Sequence, residues 1–425
     1  MKTKSAVIIA VAIVLLVGLF ACYAIAYMPF GGTPATPLLT TTFLQSGLPQ
    51  GSSWSITFNN VTKISSSNSI TFKTINGSFK FNMYANEINV TPIKNISVGV
   101  SPMWMTYYQN LDELLVTNDG SNTLSVINTT TDAVVRTVKV GLFPAIPILD
   151  STLGVIYVTN MHSDSVTVIN ASSFSVIKNL STGSLPLGIA LDPSNGYLYI
   201  GNSGSGTVSV IDSVTGANVT TINVGGAPRG VTYNPANGHI YVANYDENKV
   251  NVINPALNSF YNITVGTNPM WVTYDPYNQY IYVDDYGSSN LMYISNNSVL
   301  GTIPTGIDPV GVVYAGNHLI MEINYGSGTV GLINDTTNSV MVNLYVSLTP
   351  EKVIGNYTNQ NGTFSFVTYK KNLPMWAIYN NNTGLLYMTY FRTNFVRTFN
   401  MSVLPDMYIG ILSAGSSRQI NFRKP

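Results

Sequence analysis

The chain has 425 residues, of which only 9% are charged, and its 19 basic residues balance its 19 acidic ones. Soluble domains average about 25% charged residues, so amide, hydroxyl and glycine-rich surfaces must replace charge here. The lack of net charge and of a basic stripe argues against a nucleic-acid partner. The single cysteine, Cys22, excludes a disulfide within the chain.

The first segment, residues 1–28, is almost wholly apolar from position 5 onward and begins with Lys2 and Lys4. About 20 apolar residues are enough to cross a bilayer, and flanking lysines stay on the cytoplasmic side. The pattern predicts an N-terminal transmembrane helix that anchors the chain and leaves the rest outside the cell. A cleaved signal segment, which would make the protein secreted, is the alternative.

Two short regions separate this segment from the rest of the chain. Residues 29–40 form a linker rich in Pro, Thr and Gly, and residues 41–91 alternate apolar and polar residues like half-buried strands. Residues 42–58 resemble a small β module found in surface proteins and thermopsin-like proteases of acidophilic archaea. The resemblance implies a spacer in an extracellular protein and carries no proteolytic residue.

A repeat occupies most of the remaining chain. Prolines recur at the same point of a Gly-X-X-Pro turn with spacings of 42, 42, 42, 41 and 40 residues, at Pro102, Pro144, Pro186, Pro228, Pro269 and Pro309. Pro374 begins a seventh copy that ends at Asn400. Each copy holds four short runs of Val, Ile, Tyr and Thr between turn residues, which is typical of antiparallel strands in a propeller blade.

These strands are too short and too apolar to fold alone, so neighbouring copies must stack face to face. The sequence predicts an all-β fold: a seven-bladed β-propeller of four-stranded antiparallel blades over residues 92–401, after the transmembrane helix and the small β domain. Residues 350–371 are an insertion, either a hairpin or part of an eighth blade. Residues 93–98 are expected to complete the seventh blade and close the ring, and the tail, residues 402–425, is the alternative source of that strand.

The chain resembles the YVTN β-propeller family at residues 156–160, which read IYVTN, and at residues 241–244, which read YVAN. The resemblance covers about residues 98–400. This family is known from archaeal surface-layer and bacterial secreted proteins. The resemblance implies a seven-bladed ring and an extracellular location, and it supplies no shared catalytic residues.

Tryptophan stands two residues after the blade proline in three copies, as Trp104, Trp271 and Trp376. These positions begin the innermost strands, so Trp104 and Trp376, in neighbouring blades, are expected to meet at one mouth of the channel. Arg229 and Arg392 are their candidate polar companions. Such a group suits a protein or glycan ligand. Indoles that merely plug the channel are the alternative.

No catalytic, metal or cofactor site is predicted. The three histidines occupy different repeat positions, no metal-ligand spacing occurs, and no Gly-X-Ser-X-Gly elbow has plausible partners. The sequence therefore favours a non-enzymatic surface protein that binds or scaffolds. A secreted propeller enzyme of the lactonase or lyase kind is the alternative, and it would concentrate charged or histidine side chains at one mouth.

Seven Asn-X-Ser/Thr sequons are candidate glycosylation sites on the rim of the ring. Four are expected in turns between third and fourth strands and three on or beside the outermost strand: Asn128, Asn170, Asn334 and Asn400, then Asn179, Asn218 and Asn262. An exposed outer strand invites edge-to-edge association, and this chain has few charges to prevent it. Glycans are expected to cover the rim and leave the channel mouth bare.

Overall fold

The computed structural model describes residues 8–13, 22–27, 39–44, 53–58, 61–67, 69–74, 78–90, 92–257, 259–346, 351–359, 362–370, 373–401 and 418–421. Seven antiparallel four-stranded blades confirm the predicted all-β propeller. The chain divides into two compact units, and the larger comprises Thr91–Val340 and Val346–Asn400.

The fourth blade shows why the repeat folds as four strands. Pro228 begins the innermost strand opposite Asn244, which ends the second strand, and the first residue of a strand tolerates the missing proline N–H. The second strand is buried along almost its whole length because neighbouring blades cover both of its faces. The turn between them is held by Asn234, whose Oδ1 accepts the Ala236 N–H at 2.9 Å.

The blades follow one another along the chain, and each runs from its innermost to its outermost strand. Their strands are, in blade 1, Pro102–Tyr108, Glu113–Asn118, Thr123–Asn128 and Ala133–Lys139; in blade 2, Pro144–Asp150, Val155–Asn160, Ser165–Asn170 and Val176–Ser181; in blade 3, Pro186–Asp192, Tyr197–Asn202, Thr207–Asp212 and Asn218–Asn223; in blade 4, Pro228–Asn234, His239–Asn244, Lys249–Asn254 and Ser259–Thr264; in blade 5, Pro269–Tyr274, Ile281–Asp285, Asn290–Ser295 and Ser298–Pro304; in blade 6, Pro309–Gly316, Leu319–Asn324, Thr329–Asn334 and Ser339–Tyr345; and in blade 7, Pro374–Asn380, Leu385–Tyr390, Phe395–Asn400 and Lys94–Ser97.

Several elements lie outside the blades. They are the 3-10 helices Gln109–Leu111 and Met161–Ser163 and the strands Ile8–Ile13, Cys22–Tyr27, Leu39–Leu44, Ser53–Phe58, Val61–Ser65, Ser69–Thr74, Ser78–Asn89, Glu351–Asn359, Gly362–Lys370 and Arg418–Asn421. Glu351–Asn359 and Gly362–Lys370 pair only with each other. The insertion over residues 350–371 is therefore a hairpin and not an eighth blade.

The ring closes where the sequence predicted. Lys94–Ser97 pairs antiparallel with Phe395–Asn400 and so supplies the outermost strand of blade 7, with Ile96 opposite Val396. The innermost strands of blades 7 and 1 also contact each other. The tail does not compete for this role within the described residues, since its strand Arg418–Asn421 pairs with Ser78–Asn89.

Buried tyrosines of the second strand tie blades together. In three blades the hydroxyl donates to the turn after the third strand of the next blade, and the ring is 0% exposed. The bonds run from Tyr157 to the Ser213 carbonyl at 3.1 Å, from Tyr282 to Asn338 Oδ1 at 2.5 Å and from Tyr387 to Asp132 Oδ1 at 2.7 Å. The last of these spans the closing junction between blades 7 and 1.

The described residues of the predicted transmembrane helix, 8–13 and 22–27, are strands and not part of a helix. Ile8–Ile13 and Cys22–Tyr27 are strands that pair antiparallel, and no helix among the described residues is long and apolar enough to cross a membrane. Short apolar runs rich in Ile, Val and Ala fit a buried strand as well as a helix, so their composition does not decide between the two. Most of the predicted linker, residues 29–38, and residues 402–417 of the predicted tail lie outside the described residues.

We expect Tyr387→Phe to lower the free energy of unfolding by about 1–2 kcal/mol, because it removes the hydroxyl that bonds Asp132 across the closing junction. Urea unfolding followed by circular dichroism measures the change. Tyr277→Phe is the matched control, since the Tyr277 side chain is 57% exposed. Equal losses in the two variants would contradict a role of the Tyr387 hydroxyl in joining the blades.

Candidate functional site

One end of the central channel opens into a cavity of about 300 Å³, here called the cup. Each of the four consecutive blades 4 to 7 contributes the residue after its blade proline and the residue after its second strand. The lining residues are Arg229, Met270, Val310 and Met375, and Tyr245, Tyr286, Tyr325 and Phe391. The two sets meet because the first and second strands are antiparallel, which brings the start of one to the end of the other.

Tyrosine rings form the wall of the cup. The ring centroids of Tyr245 and Tyr286 lie 6.2 Å apart with planes tilted by 46°, within the usual range of aromatic pairs. Both rings and that of Tyr325 are half-buried. Within the described part of the chain, none of their three hydroxyls makes a hydrogen bond to another residue. The blade-joining tyrosines differ, because their hydroxyls are satisfied inside the fold.

Arg229 is the cation of the cup. Its guanidinium carbon lies 3.5 Å from the centroid of the Tyr245 ring, and its Nη1 lies 2.9 Å from Met270 Sδ. Sulfur is a weak acceptor, so most of the guanidinium donors remain unused. Among the described residues no carboxylate lies within ion-pairing distance of Arg229. Burial lowers the pKa of Arg229, against the raising effects of Tyr245 and Asp246.

Arg392, the other predicted polar companion, is exposed and lies at the edge of the cup. Its guanidinium carbon is 4.9 Å from the centroid of the Phe391 ring. Its backbone is left-handed, with φ of 59°, a conformation uncommon for a residue other than glycine. The turn after the second strand of blade 7 therefore places Phe391 in the cup and Arg392 beside it.

The predicted tryptophans lie in the core and not on the cup surface. Trp104, Trp271 and Trp376 are 6%, 8% and 5% exposed and belong to one buried cluster. Trp376 packs edge to face on Trp271, with ring centroids 5.2 Å apart, whereas the sequence placed Trp104 beside it. Gly311, at the equivalent position of blade 6, makes room, because a Cβ there would lie 2.5 Å from the Trp376 ring. The three indoles are therefore part of the buried core.

The cup belongs to one arc of the ring. In blades 1 to 3 the residues at the same two repeat positions are Met103, Ala145 and Leu187, and Asp119, Met161 and Ser203. Aromatic rings and the arginine are confined to blades 4 to 7. The prediction missed the tyrosines because the residue after the second strand was not compared from copy to copy, and that comparison would have revealed them.

The candidate glycosylation sites differ in accessibility. Those on outer strands, Asn179, Asn218 and Asn262, are exposed. Asn128, Asn170 and Asn400 are half-buried. Asn334 is only 5% exposed, and its Oδ1 accepts the backbone N–H groups of Thr336 and Thr337 at 2.9 Å each.

The described residues place no group of three His, Cys, Asp or Glu side chains where they could hold a metal ion. His318 has its Nδ1 3.0 Å from Asp335 Oδ1 and its ring against Tyr277. The imidazole of His162 stacks on Phe143 with ring centroids 4.5 Å apart. Neither imidazole lines the cup.

Three carboxyl groups are buried below the cup in blades 5 and 6. Asp284, Asp285 and Glu322 are all 0% exposed. Asp284 Oδ1 accepts the Trp271 N–H, but Asp284 Oδ2 and both oxygens of Asp285 and of Glu322 make no well-formed hydrogen bond within the described structure. Glu322 occupies the position that valine holds in blades 4 and 5, as Val242 and Val283.

Burial is the main cause of a raised pKa in all three carboxyl groups. It raises the pKa of Asp285 to about 7, against the lowering effect of the Gly266 backbone N–H. It raises the pKa of Asp284 and of Glu322 well above the ordinary values; Asp285 raises the pKa of Asp284 further, and Asp284 and Asp285 raise that of Glu322 further. Closed off from solvent, these groups are inaccessible to a molecule in the cup.

Comparison with known proteins identifies the fold and no more. No protein-family model and no curated protein matches the chain, so the likeness to the YVTN family stands on its motifs and period. A solved structure of hydrazine synthase from Kuenenia stuttgartiensis matches with a TM-score of 0.57 and 16% identity, over 71% of this chain and 96% of that one. Since 1340 solved chains match, the shared feature is a widespread fold.

We expect Asp285→Asn to make stability less dependent on pH. In the unfolded chain an aspartate has a pKa near 3.9, and in the folded chain Asp285 has one of about 7. Its stabilising contribution is therefore complete below about pH 4 and is lost as the pH rises through 7. At pH 8 the variant, which gives blade 5 the asparagine of blades 1 to 4 and 6, should be more stable by up to about 4 kcal/mol.

Urea unfolding at pH 4, 6 and 8 tests this. Wild type and Asp285→Asn should agree at pH 4 and diverge as the pH rises. Asp246→Asn removes an exposed carboxylate and should follow the wild-type profile. Parallel profiles for wild type and Asp285→Asn would show that Asp285 is not held protonated.

Proposed function

We propose that this chain is an extracellular, non-enzymatic protein that binds a protein or glycan ligand in the cup and is held at the cell surface by its N-terminal segment. The cup carries the proposal. It combines half-buried tyrosine rings with hydroxyls and an arginine that have no hydrogen-bonding carboxylate or hydroxyl partner among the described residues, on a chain that has few charged residues. Such convergence of apolar faces and a few polar groups in a concave site is typical of ligand recognition.

The composition of the cup favours binding over catalysis. None of the eight described side chains that line it is a carboxylate, a histidine or a cysteine, which are the usual acid–base and nucleophilic groups of enzymes. The matching solved structure is that of an enzyme, hydrazine synthase. At 16% identity the two chains share a fold, and a shared fold gives no reason to assign the chemistry of that enzyme to this chain.

Three features of the sequence support a location at the cell surface. The apolar run over residues 5–28 follows two lysines and has the length and flank of an anchor. Seven sequons are predicted on the rim of the ring, and the three on outer strands, Asn179, Asn218 and Asn262, are exposed. The IYVTN and YVAN segments resemble those of a propeller family known from archaeal surface layers and bacterial secreted proteins.

A glycan and peptide array probed with the chain from residue 29 onward tests the binding function. We expect specific binders, and we expect Tyr286→Ala combined with Tyr325→Ala to weaken them by at least about tenfold, because ligand contacts with buried aromatic anchors carry much of the affinity. Tyr277→Ala changes an exposed ring outside the cup and should bind like the wild type. Binding that the double variant does not affect would place the ligand elsewhere.

Glycosylation should follow the exposure of each asparagine. In intact-glycopeptide mass spectrometry of protein from its own cell surface, we expect glycans on Asn179, Asn218 and Asn262, which are exposed on outer strands. Asn334 should be unmodified, because it is 5% exposed and its side chain holds a turn. Bare outer-strand sites beside a modified Asn334 would contradict a glycan-covered rim.

A further inference from the structure

We infer that the cup recognises a sugar that bears a carboxylate, and that Arg229 is the residue that selects the charged sugar over its neutral counterpart. This inference rests on the proposed binding function and narrows it to a class of ligand. Four observations support it: the position of Arg229 in the repeat, its missing counter-ion, the free tyrosine hydroxyls and the size of the cup.

Arg229 differs in chemical type from the residues at the same repeat position in the other blades. The residue after the blade proline is apolar in the other six blades, as Met103, Ala145, Leu187, Met270, Val310 and Met375. Packing at this position therefore does not require a charge. An arginine in this setting costs desolvation, which points to a function for its guanidinium.

No described carboxylate forms an ion pair with the guanidinium. Its carbon lies over the Tyr245 ring, 3.5 Å from the centroid, and its Nη1 contacts the weak acceptor Met270 Sδ. These two contacts hold the guanidinium at the cup before a ligand arrives. A planar fork of N–H donors matches a carboxylate in a bidentate pair, which is among the strongest polar contacts in proteins.

The remaining lining suits a sugar ring. Tyr245, Tyr286 and Tyr325 offer flat apolar faces and hydroxyls that make no bond inside the described fold. A hydroxyl can donate or accept, so it matches the hydroxyls of a sugar in either sense. A cavity of about 300 Å³ lies at the small end of ligand sites, which favours one terminal sugar unit over a long chain laid across the surface.

Calorimetric titration with methyl glucuronide and methyl glucoside tests the inference, since the two sugars differ only at C6, which is a carboxylate in the first and a hydroxymethyl group in the second. We expect wild type to bind the glucuronide about ten- to a hundredfold more tightly at low salt, and to lose part of this preference as salt screens the charge. Arg229→Met, which places the residue of blades 5 and 7 in blade 4, should bind both sugars equally. Arg229→Lys should retain only part of the preference, because it keeps the charge and loses the fork.

Arg136→Met is the matched control. Arg136 is exposed on the outermost strand of blade 1, whereas the cup is lined by blades 4 to 7, so this variant should keep the wild-type preference. Urea unfolding of each variant verifies that it is folded. Equal affinity of wild type for the two sugars, weakened by Tyr286→Ala, would overturn the carboxylate inference and leave the binding function intact. Affinity for a peptide carboxyl terminus, without affinity for either sugar, would overturn it too. Failure to bind any array ligand would overturn the proposed function itself.

Discussion

Closure of the ring is the constraint on which the rest of this fold depends. A single blade cannot bury both faces of its second strand, so each blade is stable only between two others. Lys94–Ser97 pairs with Phe395–Asn400 and so closes the ring between blades 7 and 1. The Tyr387 hydroxyl donates a hydrogen bond to Asp132 across the same junction. The cup exists only in the closed ring, because its eight side chains come from four blades.

The repeat made most of the fold predictable. The proline and the residue about 16 positions later face each other at the same edge of each blade, as Pro228 faces Asn244, so one spacing sets both the strand order and the register. The closing strand could be predicted because blade 7 lacked an outermost strand and residues 93–98 lacked a blade. The structure of the N-terminal segment could not be predicted, because a run such as Ile8–Ile13 has a composition that fits a buried strand and a membrane helix equally well.

The site was predictable only in part, because its geometry depends on the size of the side chains in neighbouring blades. The sequence drew attention to the tryptophans by their place in the repeat, but the pairing of Trp271 with Trp376 is decided by the missing Cβ of Gly311 between them. Arg229 was named as a companion of the indoles, and it lies instead against Tyr245. Half of the cup is formed by residues directly after the second strands, Tyr245, Tyr286, Tyr325 and Phe391, where the repeat constrains the side chain least.

The core beneath the cup departs from the repeat in the same arc. In blades 1 to 4 an asparagine at the end of the second strand donates to a polar residue seven positions later, as Asn160 does to Thr167 at 2.9 Å and Asn244 to Asn251 at 3.0 Å. Blade 5 has Asp285 and Met292 at these two positions, so a carboxyl replaces an amide and its partner becomes apolar. A natural repeat departs from its own stabilising pattern mainly where another requirement, such as function, outweighs stability. Asp285 and Met292 lie in the same blade as Met270 and Tyr286, which line the cup, so blade 5 differs from blades 1 to 3 both in its core and at the cup.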